Sequence, residues 1–346
     1  MNRFAWLMRR EFWEHRAIWM APAVVLALLF IGAVAGNVLV GNVQVDADIS
    51  IGGDEAADSG LTQEDKDELA SIRGPEDLHK LERLEKLKDV EKKEVRVVSA
   101  GEAMTMVAPE KRRGILLLVY SSIAVLMFFV MGIIAFFYSL EALYADRRDR
   151  SVLFWKSLPL SDTETVLSKF AVAAVAIPLL AAAAAIVGQL VMAAGGSVKL
   201  AFSGGPAGVM WAPDILAGGA LGAIMLAVVC ALWYAPVVAY LLLASSWAPK
   251  SPFLWAVLPP VALAMLERIA FDSQYVTAFI GHRAIAPLKA MFDSEEKIKA
   301  SELGPTDLVA NVMDLLLSPG MILGLVAAAL LLAAAIWLRR YRDESI

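Results

Sequence analysis

Long uninterrupted apolar runs, separated by charged segments, dominate the chain. A helix needs about 20 mostly apolar residues to cross about 30 Å of hydrocarbon. Six runs meet that length: 17–40, 114–140, 170–194, 214–245, 252–271 and 319–338. They predict an all-α polytopic membrane protein with six transmembrane helices. The run 214–245 is longer than one crossing requires, and Pro236 inside it removes a helical N–H. Two readings fit: one kinked, tilted span, or a span followed by a helix at the interface.

The polar segments predict further elements. In residues 1–16, Phe4, Leu7, Met8 and Phe12 fall on one helical face. Arg3, Arg9, Arg10 and Arg16 can reach anionic headgroups, so this stretch reads as an interfacial elbow helix before the first span. Ala33-Val34-Ala35 has the form of a signal cleavage site, but the long, acid-containing start with Trp6 and Trp13 argues against one. The segment 41–113 reads as an extracytoplasmic loop with a helical hairpin. Thr62 and Asp65 suit a helix start, Gly74-Pro75 a break, and Glu76/Lys80, Glu82/Lys86 and Asp89/Lys93 are favourable i,i+4 pairs. Its leucines, from Leu78 to Leu87, recur every three residues, which suits a small helical cap better than a coiled coil. The segment 272–318 reads as a second outer loop, with an amphipathic helix around 283–292.

Charge placement orients the spans. With the N-terminus in the cytoplasm, segments 1–16, 141–169, 246–251 and 339–346 carry thirteen Lys and Arg, against five in the outer segments 195–213 and 272–318. The positive-inside rule then puts both termini in the cytoplasm of a bacterial-type inner (plasma) membrane. Lys111, Arg112 and Arg113, just outside the second span, are a local exception. Trp19, Trp247, Trp255 and Trp337 lie at inner ends and Trp211 at an outer end, where the ring sits among headgroups.

Composition narrows the chemistry. Over 346 residues, 59% are hydrophobic and 19% charged, which excludes a soluble enzyme or a disordered scaffold. A single cysteine, Cys230, excludes a disulfide framework. No GxxxxGK[ST] loop, GxGxxG turn or HExxH helix is present, so no nucleotide or metal site is expected in this chain, and nothing suggests nucleic-acid binding. No span offers the paired acids, or Ser with His or Lys, of an intramembrane hydrolase. Asp46-Ala47-Asp48 reads as acidic loop rather than a calcium site. Two polar residues inside spans are candidates for a translocation path, Gln189 and Glu267. The alternatives are an interhelical hydrogen bond for Gln189, and a local pair with Arg268 or an interface position for Glu267.

The segment 141–169 is the most informative. The second helix runs past the membrane toward Arg150. A short apolar stretch with Phe154, Trp155 and Leu158 follows, Pro159 ends it, and Ser161-Asp-Thr-Glu164 forms a capping box for the third helix. This is a helical hook with an aromatic tip between two spans. Aromatic anchors with charged flanks supply most of the energy of a small interface. The alternative leaves the arginines to orient the protein and the aromatics to lie in the membrane interface.

The stretch Asp146-Arg-Arg-Asp-Arg-Ser-Val-Leu-Phe-Trp-Lys-Ser-Leu-Pro-Leu-Ser-Asp162 resembles the cytoplasmic loop of type-2 ABC exporter permeases. The likeness extends to Met8-Arg-Arg-Glu-Phe-Trp-Glu-His-Arg16, Leu232-Trp-Tyr-Ala-Pro236 and Ser245-Ser-Trp-Ala-Pro-Lys-Ser-Pro-Phe-Leu-Trp255, and is poor across 42–113. It implies a six-span permease subunit with an N-terminal elbow helix and a coupling helix around Ser151–Leu158. It also implies a second permease chain, identical or homologous, and a separate cytoplasmic ABC ATPase that holds ATP and magnesium. The ATPase-coupling residues are then Arg147, Arg148, Arg150, Ser151, Phe154, Trp155, Lys156 and Leu158. Docking falls to Phe154, Trp155 and Leu158, and charge contacts to the three arginines. The resemblance names no cargo. The competing expectation is a membrane sensor or assembly factor that acts through loop 42–113.

Overall fold

The computed structural model describes residues 3–35, 107–149, 161–292 and 305–342. The hairpin expected in 41–113 lies outside these residues, apart from 107–113. So do Arg150, Ser151, Phe154, Trp155, Lys156 and Leu158 of the hook. Among the described residues every regular element is a helix. Five helices are long and apolar enough to cross a membrane. The count is six if the first two, bent by 58° at a short break, form one span.

Helix α1 (Arg3–Glu14) precedes that bend and α2 (Ala17–Ala35) follows it. The apolar stripe of α1 meets the bundle: Leu7 is buried, Met8 and Phe12 pack on the core, and Trp6 and Trp13 stay exposed. Helix α3 (Pro109–Arg148) is 40 residues long and extends beyond its apolar run at both ends. At its start Arg113 pairs with Asp214 at 2.8 Å, so one of the three bases that open this helix has an acid beside it.

Helix α4 (Asp162–Ala171) opens on the Ser161–Glu164 capping box. It continues through a π-turn (Val172–Ala176) into α5 (Ile177–Phe202). The cause of the π-turn is local. Pro178 has no N–H to return to Ala174, and the backbone widens so that Ile177 N–H reaches the Val172 carbonyl. Helix α5 is the central post, packed on α2, α3 and the next helix, α6 (Pro213–Trp233). Its Ala181–Ala185 run meets Ala124, Ala223 and Ala227, and these small side chains let the helices approach closely.

The long fourth run breaks at Tyr234, two residues before Pro236. Helix α7 (Ala235–Trp247) therefore follows α6 as a separate piece. It does not lie free at an interface: Val238, Ala239 and Leu242 are buried in the main core with Ala328, Leu332 and Ala335 of the last helix. Helix α8 (Pro252–Phe271) is peripheral, with only 6% of its most apolar stretch buried, against 28% to 44% for the other four single-helix spans. The segment 272–318 holds α9 (Tyr275–Phe292) and α10 (Pro305–Leu316). Helix α9 begins well before the 283–292 expected from sequence, because Glu267 of α8 accepts hydrogen bonds from the Tyr275 and Val276 N–H groups. Helix α11 (Pro319–Arg342) closes the bundle.

Candidate coupling site

The two flanks of the 150–160 segment converge with α1 and α11 on a buried ion network. Its hub is Glu11 of α1, which is 1% exposed. One carboxylate oxygen meets Lys169 Nζ of α4 at 3.1 Å, and the other accepts the Tyr138 hydroxyl of α3 at 2.8 Å. Lys169 also reaches Asp146, in the last turns of α3, at 3.6 Å. Asp146 receives Arg339 Nη1 of α11 at 3.0 Å, and Arg339 Nε returns to Asp162, in the first turn of α4, at 3.2 Å. Arg10 adds a contact to Glu11 at 3.9 Å while bonding Glu14 at 2.7 Å. Four acids (Glu11, Glu14, Asp146, Asp162) thus face three bases (Arg10, Lys169, Arg339). Ionised groups taken from water must be paired and hydrogen-bonded in this way to be tolerated.

Local structure places each member. Glu11 sits one turn beyond Leu7, so the stripe that docks α1 also turns its carboxylate inward. The capping box fixes the start of α4, which puts Asp162 in its first turn and Lys169 two turns on, over Glu11 and Asp146. A second tie fastens the end of α3 to α7. Ser245 Oγ accepts from the Leu143 and Tyr144 N–H groups at 3.1 and 2.9 Å, and Arg147 Nη2 donates to the Ser245 and Ala248 carbonyls at 2.6 and 2.9 Å. Arg147 therefore caps the C-terminal end of α7, a position where a cation also meets the negative end of the helix dipole.

Of the residues singled out for coupling, Arg147 and Arg148 are described. Arg147 is turned inward to α7. Arg148 is exposed and bonds Asp149 at 3.0 Å and Glu141 at 3.5 Å. The hydrogen bond and charge of Asp149 raise its pKa. The structure does not bring Gln189 and Glu267 together. Gln189, 1% exposed, donates to the Tyr120 carbonyl at a long 3.5 Å and lies flat against Gly219, where a Cβ would meet its amide at 2.8 Å. It ties α5 to α3 and α6. Glu267 accepts the Ser273 hydroxyl at 2.7 Å and the two N–H groups that open α9.

The sequence reading did not single out Glu11, Asp146, Asp162, Lys169 or Arg339. The available signal was the acids: Glu11 and Asp146 stand in segments with an excess of Lys and Arg, where the positive-inside rule gives an acid no use. Among the described residues, no group of His, Cys, Asp and Glu is placed to hold a metal ion.

Among the described residues, an all-helical bundle with five or six apolar spans defines a polytopic membrane protein. Residues 114–240 match the family model described as ABC-2 family transporter protein, so over that segment the chain is similar to this family. The match runs from early α3 into α7. It includes the hook, Tyr138, Asp146, Asp162 and Lys169, but not Glu11 or Arg339. No curated protein and no solved structure compared with the chain matches it.

Proposed function

We propose that the chain is the transmembrane subunit of an ATP-driven exporter. It would work with a separate cytoplasmic ABC ATPase, which binds ATP and magnesium, and with a second permease chain, in an inner (plasma) membrane with both termini cytoplasmic. The observation that carries this reading is the ion network, because it joins both flanks of the hook to the first and last helices of the bundle. A push delivered at 150–160 would reach α3 through Asp146 and α4 through Asp162. From there it would pass to α11 through Arg339 and to α1 through Lys169 and Glu11. Packed, paired groups move as a unit. The places where the long helices yield are then the π-turn at Val172–Ala176 and the break at Tyr234. These face each other across an apolar cavity of about 190 Å³ lined by Met131, Gly132, Ala174 and Tyr234.

Affinity purification from native membranes in mild detergent tests the reading. A stoichiometric ABC ATPase is expected to accompany the chain. A clean preparation that is active without any ATPase would overturn the proposal and favour a sensor acting through loop 42–113.

For Gln189 the geometry supports an interhelical tie. Gln189→Leu is expected to lower stability by about 0.6 kcal/mol, the average for such bonds in membranes, and to leave transport at the wild-type rate. A transport assay that finds a large loss with normal ATPase retention would return Gln189 to the path.

A further inference from the structure

Five charged side chains are buried among the described residues: Glu11, Asp146, Lys169, Arg339 and Arg283. The first four belong to the ion network. Arg283, on α9 and 7% exposed, makes no ion pair with any described carboxylate. Its Nη1 donates to the Gly320 carbonyl at 3.1 Å, and its guanidinium carbon stands 4.3 Å from the centre of the Trp233 ring. Trp233 Nε1 holds the backbone in place by donating to the Arg283 carbonyl at 2.8 Å, and the Tyr234 hydroxyl bonds the next carbonyl, Ala284, at 2.7 Å. Nε is buried and has no acceptor. A carbonyl and a ring face offset part of the cost of burying this cation, but neither is an anion.

The guanidinium lies on the first turns of α11. A Cβ on Gly324 would collide with its Nη2, so the absence of a side chain there makes the seat. This is also the positive end of a 24-residue helix. Pro319 has no N–H, and Ser318 takes the Met321 and Ile322 N–H groups. The Gly320 N–H donates to no described group. A buried cation only partly compensated by a carbonyl and a ring, and a helix N-terminus with a spare donor, therefore meet, and among the described residues no carboxylate pairs with that cation. Like charges in such a place repel, and an oxyanion relieves both.

We propose that Arg283 and the first turn of α11 form a binding site for a phosphate-type oxyanion, supplied either by a phospholipid headgroup or by free phosphate. Arg283 provides the charge and the planar donors, Gly320 a backbone donor, Gly324 the room, and Trp233 the wall that holds the guanidinium in place. The site does not depend on the ATPase reading.

The test uses the full-length protein and its thermal unfolding midpoint. One arm adds inorganic phosphate in uncharged detergent, against chloride at equal ionic strength. The other compares phosphatidylcholine nanodiscs with discs that also contain phosphatidylglycerol. The wild type is expected to gain about 2 °C or more from at least one oxyanion. A gain from phosphate assigns a free anion, and a gain from phosphatidylglycerol alone assigns a headgroup. Arg283→Met is expected to lose the gain and, without oxyanion, to be as stable as the wild type or more so. Gly324→Ala, which keeps the charge but displaces the guanidinium, is expected to lose the gain as well. It carries the comparison if Arg283→Met does not fold. Three results overturn the proposal: a wild type unmoved by either oxyanion, the same gain in both variants, or an equal loss of stability by Arg283→Met in every medium.

Discussion

Lys169→Met is expected to destabilise the protein by about 3–5 kcal/mol, the cost of breaking a buried ion pair from one side. The loss does not come from missing packing, since Met nearly matches the volume and shape of the lysine stem. It comes from Glu11 and Asp146, left in the core without the ammonium that faced them at 3.1 and 3.6 Å. The second mutation of the cycle is therefore informative. Glu11→Gln removes one stranded charge and keeps an acceptor for the Tyr138 hydroxyl. The double variant Lys169→Met/Glu11→Gln should recover a large part of the loss, and a coupling energy of about 1–3 kcal/mol is expected for groups in one network. Thermal unfolding in detergent measures it. Additive losses would mean that the pair is not energetically joined and that α1 is held by Leu7, Met8 and Phe12 alone.

The spans were legible because the length of an apolar run is a one-dimensional signal. The start of α4 was legible because a capping box is written within four residues. The network was not, because its partners are far apart in sequence: Tyr138 and Glu11 by 127 residues, Arg339 and Asp146 by 193. Lys169 and Arg339 count in sequence only as two of the thirteen bases that set the orientation, and charge counting is blind to partners. Glu267 was more accessible. Its acceptor role is spent on Ser273, Tyr275 and Val276, all within nine residues of it along the chain. Arg283 was counted as an outer-loop charge, and only the packing of α9 onto Trp233 shows that it is buried. Pro236 announced the break in the fourth run, but no local pattern said that α7 would pack along α11 rather than lie at the surface.

The second large effect is expected at the tip of the hook. Replacing Phe154 and Trp155 together with Ala should release the ATPase while leaving the bundle intact. One buried aromatic anchor is worth about 2 kcal/mol, or about thirtyfold in affinity. The loss should therefore appear as an ATPase missing from the purified complex. Stability discriminates docking from transmission, because the two depend on different residues. The double-Ala variant, altered outside the ion network, should keep the wild-type unfolding midpoint and lose its partner. Arg339→Met, which takes one of its cations from Asp146 and the ion pair from Asp162, should lower the midpoint and, if the partner stays bound, leave ATP hydrolysis no longer tied to transport. Normal ATPase retention by the double-Ala variant would place docking elsewhere, with Arg148 the first residue to test because it is exposed at the end of α3. Loss of the partner from Arg339→Met alone, with the tip unchanged, would mean that the network shapes the hook itself. The flanks at Asp146 and Asp162 would then be part of the docking surface rather than a relay behind it.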